Sequence, residues 1–535
     1  MAIERRVVGP PGTGKTTFVA RQVAACVERW GSRGVVVASL TNAAAKEAAG
    51  RVTNIDKNQV GTLHGHAFAA IGHPEMAIAA IEDWNENCPF GLTLSKDQKT
   101  SPIEEPTSKT PGDELHLEYQ IYRAKMIDRE IWPYHVKGFA EPWEKWKAEL
   151  GVMDFTDLIE RALEDTTCAP GMPQALLIDE AQDCSALEVA LVRKWGEMAE
   201  EVFFIGDADQ AIFDWRGGDA SHLASGEIPP ERHKVLSQSY RVPRAIHALS
   251  QAWIRRLPDR EDAEYRPRDA DGEVRRSHAT WKTPWDICAE VERALDTHES
   301  VMLLASCNYM LAPTITELRA RGLPFWNPYR PEAGNWNPLQ RSTEKRISSV
   351  DRVLAYLRPD EEVWGDEARM WSWEDTRVWA SALRTDQKKK PGALKRGAKA
   401  VLDSKDGEAS ISDLLEHVLV DEDAMTAAFS SDLDWYQRNL LKDRAGGLAF
   451  PIEIVRRRGG AMLRERPRLT VGTVHSVKGG EASCVIVIPD ASPQAWEGWT
   501  TGNKGPLTRL FYVAVTRARG SVVICRGVGT VKVPI

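Results

Sequence analysis

The sequence predicts an α/β protein organised on parallel sheets, and three observations carry that prediction. A glycine-rich turn, Gly9-Pro-Pro-Gly-Thr-Gly-Lys-Thr16, lies between a short strand at 5–8 and an amphipathic helix through 17–25. Largely apolar runs at 34–40, 175–179 and 202–206 suit strands buried on both faces, and each runs into polar residues. Strong helix formers at 41–48 and amphipathic spacing at 153–163 supply helices between those runs.

From Gly9 the turn reads G-x-x-x-x-G-K-T, the spacing of a phosphate-binding loop. Gly9, Gly12 and Gly14 let backbone N–H groups turn inward around a polyphosphate, with Pro10, Thr13 and Thr17 completing the cradle. Lys15 reaches the β- and γ-phosphates, and the Thr16 hydroxyl ligates Mg²⁺. The following helix presents its N-terminus to the anion. These features point to a nucleotide-binding ATPase or GTPase.

The chain has 535 residues, enough for two or more domains. A formal net charge of −8 excludes a histone-like polycation but leaves room for a basic groove on an acidic protein. The 8 cysteines form no C-x-x-C pair, which disfavours a zinc ribbon, an iron–sulfur cluster and a secreted disulfide framework. No apolar run is long enough for a membrane span, and charges at positions 4–6 disfavour a secretory leader. A reducing cytoplasm is the expected setting.

Thr41 and Asn42 follow a predicted strand, and Val60-Gly-Thr-Leu-His-Gly-His-Ala-Phe68 reads as strand, loop and helix. Polar residues at such strand ends lie where open α/β sheets bind ligands. Residues 75–150 lose the strand–helix alternation. A loop is expected at 95–112, then helices at 115–122 and around Trp143 and Trp146, whose aromatics are read as core.

The run at 175–179 ends in adjacent acids. Asp179 suits the Mg²⁺ shell and Glu180 suits a general base that polarises the attacking water. Beyond the run at 202–206, Gln210 is placed to sense a γ-phosphate, and Phe213 and Trp215 are placed to stack on a base. Tyr240 and Arg241 precede a helix expected from near Pro243. Residues 330–455 include Trp364, Trp371, Trp373 and Trp379 and a basic run at 388–399, readable as a solvated face or a DNA contact.

In this order, these residues resemble the UvrD/Rep-type superfamily 1 helicases. The later chain agrees. Val301-Met-Leu-Leu-Ala-Ser-Cys-Asn308 resembles a strand of the family's second motor domain. Leu469-Thr-Val-Gly-Thr-Val-His-Ser-Val-Lys-Gly-Gly-Glu481 resembles its T-x-H-x-x-K-G-x-E motif, and Arg509-Leu-Phe-Tyr-Val-Ala-Val-Thr-Arg-Ala-Arg519 its Y-V-A-x-T-R-A motif.

The resemblance implies two RecA-like parallel-sheet motor domains with two smaller, mostly helical inserted subdomains. Residues 1–74 and 151–232 would form the first motor and 75–150 its insertion; 233–330 and 456–535 would form the second and 331–455 its insertion. It implies ATP and Mg²⁺ between the motors, single-stranded DNA across their tops, duplex junctions as substrates, no membrane, and 3′ to 5′ movement. Arg241 and Arg517 would be arginine fingers from the second motor. Tyr240 would stack on adenine, with Gly479 and Glu481 at the nucleotide. Thr41, Asn42, His64, Phe68, Trp215 and His475 would face DNA.

Two departures matter. The family's K-G-L-E-F is Lys478-Gly-Gly-Glu-Ala482 here, which predicts looser coupling between ATP and DNA. The segment before Gly9 holds no glutamine to read adenine, which predicts weak discrimination between ATP and GTP. No fused nuclease is expected after Arg519. Two other classes compete: a DNA-binding protein that uses ATP as a switch, and a phosphate-loop enzyme acting on a small molecule.

Overall fold

The apolar runs of the N-terminal half become strands of one parallel sheet. The computed structural model describes residues 2–39, 55–95, 110–224, 228–258, 260–329, 336–344, 346–359, 370–387, 390–528 and 532–535. Its strands are β1 (Ile3–Val8), β2 (Val35–Ser39), β3 (Val60–Thr62), β4 (Ala175–Asp179), β5 (Glu201–Gly206) and β6 (His233–Val235), in the order β3-β2-β4-β5-β1-β6. All pairings are parallel. β2 and β4 run in register from Val35↔Ala175 to Ser39↔Asp179, so their polar ends finish together.

Helices cover both faces. Val19, Val23 and Cys26 of α1 (Lys15–Trp30) pack on Val7, Val35, Val37, Leu177, Phe203 and Ile205. The other face takes α2 (Leu63–Ala70), α5 (Phe155–Asp165) and α6 (Ala186–Gly196), through Leu63, Ala67, Leu158, Ile159, Leu187 and Leu191. Each fully buried aliphatic side chain contributes about 1.5–3 kcal/mol. These two cores hold the strand ends fixed.

Between α2 and α5 stand α3 (Pro111–Ala124) and α4 (Tyr134–Leu150). Trp84, Tyr119, Phe139, Trp143 and Trp146 form a separate core there, as the sequence reading of these aromatics expects. The loop expected at 95–112 ends sooner, because α3 starts at Pro111. Thr110 and Asp113 exchange a capping box there, the Asp113 N–H donating to Thr110 Oγ1 at 3.1 Å and the Thr110 N–H to Asp113 Oδ2 at 2.8 Å. Residues 96–109 lie outside the described residues.

Buried charges tie this insertion to α5. Asp154, the N-cap of α5, accepts from Lys147 Nζ at 2.6 Å, Trp143 Nε1 at 3.1 Å and Arg123 Nη1 at 3.2 Å. Arg123 also pairs with Asp157 and Glu160. Asp154 is buried, which raises its pKa, but Arg123 and Lys147 outweigh burial and hold it well below the usual carboxylate range.

The chain divides into two units, Met1–Arg275 with Val474–Ile524 and Val531–Ile535, and Arg276–Thr473 with Cys525–Thr530. The first unit also contains the strand Gln238–Pro243, the helix Arg244–Ile254, the parallel pair Ala482–Val487 and Ala518–Ile524, and the helix Gly505–Val515. In the second, Leu469–Thr473 pairs in parallel with Val301–Ala305 on one side and Phe325–Trp326 on the other. Its helical part buries Trp371, Trp373 and Trp379. Trp364, Lys388 and Lys389 lie outside the described residues. The architecture is mixed α/β on parallel sheets, as expected. All 8 cysteines are free thiols. Among the described residues no helix is long and apolar enough to cross a membrane.

Candidate nucleotide site and nucleic-acid face

The glycine-rich turn joins β1 to α1 as its spacing demands. Gly12 and Gly14 adopt φ of 73° and 84°, in the left-handed region that glycine enters without cost. The Gly9 N–H donates to Gly206 O at 2.9 Å, fastening the loop to β5. Thr13 Oγ1 donates to Pro10 O at 2.8 Å, and Lys15 Nζ to Gly9 O at 2.6 Å, which holds the ammonium across the loop. Thr16 is half-buried and Thr17 exposed at the start of α1.

The strand Gln238–Pro243 clamps the other side of the loop. The Tyr240 N–H donates to Gly12 O at 2.8 Å, and Ser239 Oγ and the Tyr265 hydroxyl each donate to Pro11 O at 2.9 Å. A Cβ on Gly12 would stand 2.4 Å from the Cβ of Arg241, so no other residue fits. The Tyr240 side chain is 71% exposed beside the loop. Arg241 Nε donates to Glu481 Oε2 at 2.7 Å, and Arg519 lies 3.3 Å from the other oxygen of Glu481. Gly479, two residues earlier, is exposed with φ of 89°.

Asp179 ends β4 buried, and its Oδ1 accepts from the Glu180 N–H at 3.0 Å. Glu180 takes φ of 55°, unusual for a side chain this large, and this turns the chain at the strand end. Gln182 Nε2 donates to Glu180, and Gln182 Oε1 accepts from the Asp207 N–H at 3.0 Å. Burial raises the Glu180 pKa, but Lys478, Lys15, Gln182 and Arg517 together bring it below the ordinary value. These neighbours favour the carboxylate form of Glu180.

Gln210 links three groups. Its Nε2 donates to Asp207 Oδ2 at 2.6 Å, its Oε1 accepts from Arg517 Nη2 at 3.0 Å, and its backbone oxygen accepts from Lys478 Nζ at 2.8 Å. Lys478 also pairs with Asp183, whose carboxyl burial pushes up to about 6 against the pull of that ammonium. Arg517 is buried and donates further to Val513 O at 3.1 Å and Gly480 O at 3.3 Å. The Ala482 N–H donates to Arg517 O at 3.1 Å. The two positions that depart from the family pattern thus hold Arg517 through backbone atoms, which do not depend on the side chain.

Metal-ligand chemistry can be judged from the donor set. The Thr16 hydroxyl and Asp179 carboxylate are hard oxygens on the loop and the strand end, and Mg²⁺ takes one or two such protein ligands beside substrate phosphates and water. The pair fits. No cluster of three or more His, Cys, Asp or Glu side chains suited to a metal occurs among the described residues.

The residues expected to face DNA divide into groups. Trp215 and His475 meet edge to face with centroids 6.4 Å apart, and both are half-buried. Phe213 lies 5.9 Å from His475 and 6.3 Å from Trp215 but is fully buried, so it supports those rings from below and cannot stack on a base. His64 stands 3.5 Å from Glu188 and edge-on to Phe155; burial and Arg216 favour its neutral form against Glu188. Phe68 packs on the sheet core and edge-on to His73. Thr41 and Asn42 lie outside the described residues.

Sequence reasoning missed Gln182, Asp183, Asp207 and Lys478 as members of this network. Lys478 was visible in its motif, and Gln182 and Asp183 stand two and three residues beyond Glu180.

A phosphate loop between β1 and α1, an acid at the neighbouring end of β4 and a glutamine joined to a buried arginine define the class of phosphate-loop folds built on a RecA-like parallel sheet. The chain belongs to the UvrD/Rep-like helicase family. The family model described as UvrD/REP helicase N-terminal domain matches residues 4–227, and that described as UvrD-like helicase C-terminal domain matches residues 468–525. DNA helicase II of Escherichia coli (strain K12) is 25% identical over 312 residues, 50% of this chain and 40% of that protein. DNA helicase II of Salmonella typhimurium (strain LT2) is 24% identical over 293 residues, 46% of this chain and 38% of its own length. ATP-dependent DNA helicase PcrA of Staphylococcus aureus (strain NCTC 8325) is 23% identical over 265 residues, 45% of this chain and 36% of that protein. The chain therefore spans about two fifths of the length of the curated relatives it matches.

Proposed function

We propose that this chain is an ATP-dependent helicase or translocase that moves 3′ to 5′ on single-stranded DNA and acts at duplex junctions in the cytoplasm. The observation that carries the reading is the segment from Gln210 to Trp215. At one end it bonds the catalytic network through Asp207, Arg517 and Lys478; at the other it places Trp215 beside His475. A change at the phosphates has five residues to travel before it reaches an aromatic that a base can stack on.

In this reading the loop backbone and Lys15 hold the polyphosphate of ATP, and Tyr240 offers its exposed ring to the base. Thr16 and Asp179 would hold Mg²⁺, which neutralises charge on the phosphate oxygens. Glu180 accepts a proton from the attacking water as its oxygen bonds to the γ-phosphorus and the bond to the bridging oxygen breaks, releasing ADP. Arg517 and Arg241 stabilise charge on the transferring group, and Gln210 orients Arg517. Glu481 positions Arg241, and Gly479 gives the nucleotide room. Thr41, Asn42, His64, Phe68, Trp215 and His475 form the DNA face. The separate aromatic core of α3 and α4 supports reading 75–150 as an accessory insertion.

One base-pair step costs about 1.4 kcal/mol to separate, a small demand for ATP hydrolysis. The test is the ATPase rate with and without single-stranded DNA, followed by unwinding of duplexes with 3′ or 5′ tails. Stimulation by DNA and unwinding from the 3′ tail are expected. An unstimulated ATPase would sink the reading and favour a small-molecule substrate.

A further inference from the structure

After the helix Arg244–Ile254 the first unit contains a stretch that no motif covers. Residues 260–265 belong to no helix or strand, and Glu261, Asp262 and Glu264 are exposed. Beyond them Arg266–Arg268 pairs in parallel with Gln238–Pro243, the strand that clamps the phosphate loop. The Arg266 N–H donates to Ser237 O at 2.7 Å, and Gln238 Nε2 to Pro267 O at 2.9 Å.

The two ends of the stretch grip different parts of the nucleotide site. The Tyr265 hydroxyl holds Pro11 O in the phosphate loop, and the Tyr265 ring lies 4.7 Å from that of His247. At the other end Arg260 Nε donates to both carboxylate oxygens of Asp209, at 2.9 and 2.7 Å. Arg260 Nη1 donates to Asp262 Oδ1 at 2.5 Å. The side chains of Arg260 and Asp209 are 8% and 12% exposed.

Asp209 sits in the turn that sets Gln210. Its N–H donates to Asp207 Oδ1 at 3.1 Å, and the other oxygen of Asp207 accepts from Gln210 Nε2. Two carboxyls thus share one buried turn. Burial and Asp207 push the Asp209 carboxyl up to about 7, against the pull of Arg260 and Arg509. Without the Arg260 guanidinium the like charges would repel, and opening of the turn would relieve them. That opening carries Asp207 away from Gln210. A buried ion pair is weak evidence for stability, because apolar side chains of similar volume serve as well. The place of this pair, one hydrogen bond from the acid that orients Gln210, gives it another use.

We infer that Arg260 is a positioning residue for hydrolysis. Through Asp209 and Asp207 it holds Gln210 in the orientation that meets Arg517, and through residues 261–265 it ties that orientation to the phosphate loop. The inference rests on the proposed ATP hydrolysis and adds to it a residue set back from the nucleotide.

The test compares the parent chain with Arg260→Ala, Arg260→Lys and the double variant Arg260→Ala/Asp209→Asn. Steady-state ATPase is measured beside binding of a fluorescent, nonhydrolysable ATP analogue, and thermal melting reports folding. Arg260→Ala should lower kcat about tenfold or more while affinity for the analogue stays within about twofold of the parent. Asp209→Asn removes the like charge, so the double variant should recover most of the lost kcat. A purely structural role would neither split kcat from affinity nor be relieved by a second substitution. Parent-like kcat in folded Arg260→Ala, or a loss that the double variant does not relieve, overturns this inference and leaves the proposed function standing. If Arg260→Ala does not fold, Arg260→Lys decides the matter, since it keeps the charge and loses the second arm to Asp262. Its kcat should then fall about threefold or more with parent-like binding, and an unchanged kcat overturns the inference. A parent chain that hydrolyses no ATP overturns both the inference and the proposed function.

Discussion

Arg517 donates from Nη2 to the side-chain oxygen of Gln210 at 3.0 Å, and both residues are buried. The other end of the same amide donates to Asp207 at 2.6 Å, so the orientation of Gln210 is fixed from both sides. Gln210→Ala removes the link and leaves one guanidinium nitrogen of Arg517 without that acceptor. Hydrogen bonds to charged groups contribute about 1.5–3 kcal/mol, so turnover should fall about 10- to 150-fold. Steady-state ATPase measurements check this, and a parent-like kcat would show that Gln210 does not orient Arg517.

Glu180→Gln keeps the shape of the side chain and removes the proton acceptor. Nucleotide binding should persist while turnover drops about a hundredfold or more. Binding of a fluorescent nucleotide beside a single-turnover assay separates the two. Hydrolysis near the parent rate in a folded variant would remove Glu180 from the base role.

Trp215→Ala should weaken single-strand affinity by about 1–3 kcal/mol if the indole stacks on a base. Stimulation of hydrolysis by DNA should fall with it. Salt-controlled titrations decide the point, and unchanged affinity would leave Trp215 as packing for His475.

Asp183 gives a pH signature. Burial raises its carboxyl to about 6, above the ordinary aspartate value of 3.8, despite Lys478. The folded state then holds a proton that the unfolded state has lost between these values. Stability from this group is complete below the lower value and is lost as pH rises through the higher one. The stability of the parent relative to Asp183→Asn should therefore decline by on the order of 2–3 kcal/mol across that window. Urea melts at several pH values would show a flat difference if the carboxyl were ordinary.

Asp154→Ala tests the buried charges that tie α3 and α4 to α5. Lys147, Arg123 and Trp143 all lose an acceptor. Breaking such a buried pair costs about 3–5 kcal/mol. The opposite sign of pH dependence applies here: the depressed carboxyl contributes stability above the ordinary value, lost as pH falls toward its folded pKa. A change of under about 1 kcal/mol in urea midpoint analysis would mean that the network is no stronger than a surface salt bridge.

Much of the fold was legible because its strands are buried on both faces. Runs such as 175–179 and 202–206 contain no alternation to confuse, and the glycines of the loop mark where β1 yields to α1. The acids at 179 and 180 were readable for the same reason, since their setting at a buried strand end is local. Lys478 was not, because its partners Asp183 and Gln210 are about 295 and 268 residues away, and only folding brings them together. Phe213 was misread because an aromatic in a polar loop gives no sign of which side faces the core. His64 and Phe68 look like contact residues in sequence, yet each also has neighbours in the packing, Glu188 for one and His73 for the other.

Tyr240 fastens to Gly12 through its main chain while its ring projects freely. The two attachments are chemically independent. Exchanging the ring for a smaller, larger or differently shaped side chain changes the exposed surface beside the loop and leaves the main-chain hydrogen bond to Gly12 untouched. Under the proposed function, position 240 is thus where nucleotide choice could be retuned, toward bulky synthetic nucleotides for example, without disturbing the backbone contact to the phosphate loop.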